Sequence, residues 1–215
     1  MNILKPSKCT ALLLFLAVMG MLWPGCVHLR KSFPDIKTYC LDAGPGDYAA
    51  YTGAVISVRL KPFSVVPQFA DRYLTYRADE IRYESDFYHQ LMASPAVMIQ
   101  DQAQGWLKGS PAIAFVLPAD VTANPYYLID GKVLEFYGDY RRSDEPKAVL
   151  KMEWTVSKSD LEGVKVLFQK VYPEAISIPE TSPQRLVEGW NQALVKILSE
   201  FEGDLRTLAE KPKSK

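Results

Sequence analysis

The chain reads as a single α+β domain, a mostly antiparallel sheet of about five to seven strands packed against two helices, the C-terminal one long. Three observations predict this. From Ala148 to Ser157 the pattern alternates: Ala148, Leu150, Met152, Trp154 and Val156 fall on one face, and Lys151, Glu153, Thr155 and Ser157 on the other. That is the period of a strand with one buried and one wetted face. On either side stand Tyr126 to Tyr140 and Val164 to Tyr172, joined to it by the turns Arg142–Pro146 and Ser159–Gly163, so three long strands form a meander. Finally, Leu186, Trp190, Leu194, Ile197, Phe201, Leu205 and Leu208 recur at steps of three and four, the apolar stripe of a helix.

The other elements follow in order. Ile36 to Leu41 is a candidate first strand, ending in turn residues around Gly44-Pro45-Gly46-Asp47. Val55 to Leu60 is a second strand, stopped by Lys61-Pro62. Tyr73 to Arg77 and Ile81 to Glu84 alternate aromatic and β-branched residues with charges around Ala78-Asp79, as a half-buried hairpin does. Ser94-Pro95 opens the first helix, with Ser at the cap and Pro at the first helical position. Its apolar positions Ala96, Ile99, Ala103, Trp106 and Leu107 keep helical spacing up to a stop at Gly109. Ala112 to Leu117 is a short apolar strand. In the meander, Gly131 marks a bulge or kink, and Val164, Val166 and Phe168 share a face. Thr181-Ser182-Pro183-Gln184 caps the long helix, with a Thr-x-x-Gln capping box as one option. At 1.5 Å per residue this helix is roughly 40 Å long.

The first 25 residues have a different character. Lys5 and Lys8 precede an apolar run from Ala11 to Trp23, and Pro24-Gly25-Cys26 follows. A basic start, an apolar stretch and a small residue before the cut describe a secretory signal. The Gly-Cys ending has the form of a bacterial lipoprotein signal, cut before Cys26, which then carries a diacylglycerol thioether and an acylated (palmitoyl-type) amine. Trp23 holds the place where such signals prefer Leu, and Leu22 stands one earlier. Two other readings stay open: an ordinary signal with Cys26 as bystander, and an uncleaved anchor. For the latter the run is short, since a span needs roughly 20 apolar residues. The expected organisation is a signal at 1–25, a tether at 26–34, a domain at 35–209 and a disordered tail at 210–215.

Composition narrows the function. The leader removes two of 25 basic residues and none of 25 acidic ones, leaving 23 against 25. No basic excess points to nucleic acid. With Cys9 lost and Cys26 acylated, Cys40 is the one remaining thiol, which excludes a disulfide framework. In its strand context Cys40 is expected to be a small buried hydrophobe.

No catalytic constellation is found, and no cofactor or metal set. His28 lies beside the proposed lipid, and His89 has no Cys or second His at ligand spacing. Asp79-Glu80 and Glu84/Asp86 read as solvated hairpin charges. Nucleophile-elbow, phosphate-loop and dinucleotide motifs are missing. Trp106, Trp154 and Trp190 are assigned to the core, whereas Tyr126-Tyr127 and Tyr137/Tyr140 look exposed and suited to an interface.

The order of features resembles the ABC-type transport auxiliary lipoproteins, the PqiC-like family. The resemblance rests on the signal, then Tyr39-Cys40-Leu41, the strand Val55 to Leu60, Leu74-Thr75-Tyr76-Arg77 continuing into Ile81-Arg82-Tyr83, the Ser94-Pro95 helix, the long strands and the C-terminal helix. The family's Trp before the helix-opening Pro is absent, the segment being Tyr88 to Ala93. The resemblance implies a non-catalytic accessory subunit, lipid-anchored through Cys26 on the periplasmic face of the outer membrane, with Val27 after the cysteine compatible with that sorting. It implies MCE-type periplasmic proteins and inner-membrane ABC or Pqi transporter components as partners in intermembrane lipid transport, and ring-forming homo-oligomers. Two alternatives stand beside it: another outer-membrane assembly or secretion lipoprotein, and a lipid-anchored hydrolase, which would need His89 bonded to a carboxylate and a nucleophile in a deep pocket.

Overall fold

The computed structural model describes residues 35–53, 55–118, 127–160 and 163–210. The leader, Cys26, His28 and Tyr126 lie outside them. The described chain folds as predicted in class: two helices on a largely antiparallel sheet. The strands are β1 (Lys37–Tyr39), β2 (Ile56–Leu60), β3 (Ser64–Val65), β4 (Tyr73–Arg77), β5 (Tyr83–Leu91), β6 (Ile113–Leu117), β7 (Tyr127–Asp139), β8 (Lys147–Asp160) and β9 (Gly163–Ser177). The helices are α1 (Pro95–Gly109) and α2 (Pro183–Glu210). The long helix thus takes in Glu210, the first residue assigned to the tail.

The β7–β8–β9 meander is the backbone of the sheet, with antiparallel ladders along almost its whole length. The other edge of β7 takes three short parallel partners end to end: β2 at Tyr127–Ile129, β3 at Lys132–Val133 and β4 at Gly138–Asp139. One segment thus runs beside β7 in three pieces. Pro62 and Pro67 explain the breaks, because proline has no N–H for a continuous ladder. Outside β4 lie β5, antiparallel, and then β1, parallel to β5; β6 lies outside β2. The sheet has nine strands rather than five to seven. Pieces of two and three residues, such as β3 and β1, are too short to show a period.

Both helices pack on the face carrying Ala148, Leu150, Met152, Trp154 and Val156, all fully buried. Ser182 caps α2 by accepting the Arg185 N–H at 3.3 Å, and six of the seven stripe residues are buried, Leu208 being half-buried. Trp190 stacks on Phe136 (centroids 3.9 Å apart) and Phe201 on Trp154 (4.1 Å), while Phe63 meets Trp154 edge-on at 5.1 Å. Two glycines permit this packing. A Cβ on Gly131 would stand 2.8 Å from the Phe63 ring, and one on Gly189 would stand 2.6 Å from the Ala148 Cβ. Gly131 is therefore a seat for an aromatic ring, not the expected bulge. The extra residue of β7 is Leu134, where the register shifts between Val133 and Glu135.

A second shift corrects the reading of β9. Phe168 pairs with Val156 and Val166 with Ser157, so Leu167 is inserted. Val156 and Ser157 are neighbours on opposite faces, so Val166 and Val164 leave the face of Phe168. Both are exposed, at 56% and 63%.

Candidate functional site

The feature that departs most from regular geometry is the outer margin of the sheet, at β4, β5 and β1. The hairpin turn is closed by Asp79, whose Oδ1 accepts the N–H groups of Ile81 (2.9 Å) and Arg82 (2.7 Å). Those bonds hold its carboxyl below the usual range. From Arg77↔Tyr83 the ladder runs regularly to Leu74↔Asp86; the next pair is Tyr73↔Gln90. Phe87, Tyr88 and His89 are thus three extra residues pushed out of the ladder.

Asp86 holds this bulge. Its Oδ1 accepts the backbone N–H of Tyr88 (3.0 Å) and His89 (3.1 Å), and its Oδ2 accepts the Tyr76 hydroxyl (2.9 Å) and His89 Nδ1–H (2.8 Å). Burial pushes the Asp86 carboxyl up, but the Tyr76, Tyr88 and His89 donors outweigh it and leave it below the ordinary carboxylate range. Burial, and then the bond to Asp86, drives the Tyr76 phenol up. Tyr76 is stacked on Tyr140 at 5.0 Å. The carboxylate expected to be a solvated hairpin charge is the centre of a hydrogen-bonded clamp.

The clamp exposes apolar side chains. Phe87 is 66% accessible, with Tyr73 edge-on against it at 5.2 Å, and Tyr88 is also exposed. β1 forms the rim, in register Lys37↔His89 to Tyr39↔Leu91, with exposed Ile36 just before it. Beyond β5 a groove of about 360 Å³ is lined by Cys40, Leu41, Met92, Ala93, Val97 and Met98, together with Asp101 and Gln102. Cys40 is exposed, not buried as expected: β1 ends at Tyr39, and the thiol turns to the Met92 sulfur at 3.8 Å.

The other sequence candidates are placed as follows. Trp106, Trp154 and Trp190 are buried in the core. Tyr137, expected to be exposed, is 5% accessible and stacks on Phe69 at 5.8 Å; Tyr127 and Tyr140 are half-buried. Among the described residues the exposed aromatics are Tyr73 of β4, Tyr83, Phe87 and Tyr88 of β5, and Phe115 of β6. Glu80 belongs to a charged pocket of about 260 Å³ whose guanidinium groups are engaged, Arg141 with Asp139 and Glu80, and Arg142 with Asp144 and Glu145. Among the described residues no three His, Cys, Asp or Glu side chains cluster as metal ligands, and no helix is long and apolar enough to cross a membrane.

The clamp makes a testable demand. Asp86→Ala leaves a phenol and two backbone N–H groups without their acceptor and is expected to cost about 2–3 kcal/mol. Because the folded carboxyl lies below its unfolded value, its contribution is complete above the unfolded range, near pH ~4. It fades as pH falls through the folded value. Urea midpoints of wild type and variant should therefore converge on acidification; a constant gap would remove Asp86 from this role.

No family model and no curated protein sequence matches the chain. Solved structures do. The Xanthomonas campestris protein XCC0632, of the family model DUF330, superposes with a TM-score of 0.70 at 15% identity, over 80% of this chain and 95% of that one. The fold recurs in a DUF330 protein. An uncharacterized protein gives 0.60 at 11% identity, over 80% and 99% of the two chains, and the hypothetical protein CT253 from Chlamydia trachomatis gives 0.50 at 11%, over 70% and 97%. At such identities the shared property is the fold.

Proposed function

We propose that the protein is a non-catalytic, lipid-anchored accessory subunit of an ABC/MCE, Pqi-like system that moves lipids between membranes. It works at the periplasmic face of the outer membrane and supports envelope integrity. The observation that carries this reading is the fold match to a DUF330 structure across nearly all of that chain, since the PqiC-like proteins are DUF330. The Gly25-Cys26 ending of the leader and the order of motifs along the domain point the same way. The hydrolase alternative asks for His89 bonded to a carboxylate and a nucleophile in a deep pocket; of these the structure supplies the carboxylate, Asp86 at 2.8 Å, which here holds the bulge. Physically, mooring through Cys26 confines the domain to a surface, so that a weakly binding partner meets it at a high local concentration.

The test is made in cells. Mass spectrometry of the mature N-terminus is expected to find an acylated Cys26, and Cys26→Ser to release the protein from the membrane fraction. Crosslinking in intact cells is expected to recover MCE-type proteins, and deletion to raise envelope permeability. An unmodified thiol refutes the anchor; failure to recover such proteins with unchanged permeability refutes the transport role.

A further inference from the structure

We infer that the β1–β5 margin is a bilayer-contacting face, on which Phe87 and Tyr88 enter the headgroup region of the membrane that holds the anchor. The inference rests on the Cys26 reading above and adds to it which side of the domain meets lipid.

The first ground is structural. Three residues are taken out of the β4–β5 ladder and held there by three bonds from Tyr88 and His89 to Asp86, which Tyr76 fixes in turn, and the result is an exposed phenyl ring and an exposed tyrosine. Ile36 and Met92, on either side along the rim, are 61% accessible each. Aromatic rings flanked by aliphatic side chains are the groups that partition to the membrane–water interface.

The second ground is reach. β1 is where the chain from Cys26 arrives, and residues 26–34 extend at most ~3.3–3.6 Å each. The start of β1, eleven residues after Cys26, therefore lies within roughly 40 Å of the anchor along the chain. A domain on so short a leash returns constantly to the surface, so a small apolar contact suffices to orient it.

The third ground is charge. Around the bulge, exposed Asp35 and Lys37 on the rim, Asp71 and Arg72 before β4 and Asp101 beside Met92 mix both signs and form no basic cluster. The contact is therefore apolar, and its dependence on salt and on anionic lipid is small.

The experiment supplies the anchor chemically, so that it reads this face whether or not the cell acylates Cys26. Residues 26–215 carrying Cys40→Ser are coupled through the Cys26 thiol to a maleimide phospholipid in vesicles that also contain a diazirine phospholipid. After irradiation, adducts are mapped by peptide mass spectrometry. Adducts are expected at Ile36, Phe87, Tyr88 and Met92, and not at the equally exposed Val164 and Val166. Phe87→Ser with Tyr88→Ser, which keeps the Asp86 clamp, is expected to reduce adducts at Ile36 and Met92 severalfold. Adducts spread evenly over the exposed residues, or concentrated on Val164 and Val166, overturn the inference. So does a rim unlabelled by lipid, which would make it a face for a protein partner. The cellular mass of Cys26 reports separately on the anchor.

Discussion

Trp154→Ala is expected to lower the stability of the domain by about 4 kcal/mol, a large share of the roughly 5–15 kcal/mol that holds a domain folded. Trp154 sits mid-way along β8, between Gly131 of β7 and Lys170 of β9, and is fully buried. Its indole is covered by Phe201 of α2 at 4.1 Å and by the edge of Phe63 at 5.1 Å. Phe63 in turn fills the space that the missing Gly131 side chain leaves. Truncation therefore strips one side from two other aromatic rings as well as removing a large apolar surface. Phenylalanine should do much better, because the Trp154 Nε1–H is a buried donor without a partner. Losing it relieves a cost and offsets part of the lost volume, leaving about 1 kcal/mol. Trp190 gives the contrast. Its Nε1–H donates to the Val149 carbonyl at 3.1 Å, so Trp190→Phe loses a bond and orphans an acceptor. Urea midpoints should rank Trp154→Phe above Trp190→Phe, and both well above Trp154→Ala. The reverse order of the two phenylalanine variants would show that the indole nitrogens do not set the difference.

What the sequence made legible was periodic, and what it hid was not. β8 alternates over its whole length, so its buried face could be read residue by residue. The α2 stripe likewise assigns Trp190 and Phe201 to the buried side of the helix. Single-residue insertions defeat such reading, since with a period of two the side chains on either side of one fall out of phase. Leu167 does this to Val164 and Val166. The bulge at Phe87–His89 was missed for a related reason: alternation fails after Glu84, and the predicted strand stopped there. A local signal was present. Asp within a strand pattern, with no proline among the next three residues, can bond the backbone N–H groups two and three ahead in place of regular ladder pairing. Tyr137 was misplaced because its burial depends on Phe69, outside its own ladder.

Two of the sheet's edge strands, β9 and β1, differ in how they are protected. β9 carries Lys165 and Lys170 and places Pro173 in mid-strand, which blunts an edge against pairing with another chain. β1 has only three residues, and the margin it closes carries Ile36, Phe87, Tyr88 and Met92 in the open. One edge is protected by chemistry, whereas the other is short and apolar.

Glu202→Ala is the second large effect, expected to cost about 3 kcal/mol. Glu202 is 5% accessible on the sheet-facing side of α2. Its Oε1 accepts the Ser110 hydroxyl at the end of α1 and the Arg206 Nε–H at 2.7 Å. Arg206 also donates to the Ala49 carbonyl at 3.1 Å and lies over the Tyr51 ring at 5.3 Å. One carboxylate thus joins the long helix to the short one and to the segment between β1 and β2. Removing it leaves a largely buried guanidinium without its counter-charge and a buried hydroxyl without its acceptor. Glu202→Gln retains an oxygen for Ser110 and loses only the charge opposite Arg206, so it should cost about 1–2 kcal/mol. Because the pair is shielded from solvent, both costs should persist at high salt. Amide exchange should quicken at residues 44–51 in the alanine variant before it does in the sheet. If alanine and glutamine cost the same, or if salt removes the difference between them, the charge of Glu202 is not what fastens these elements together.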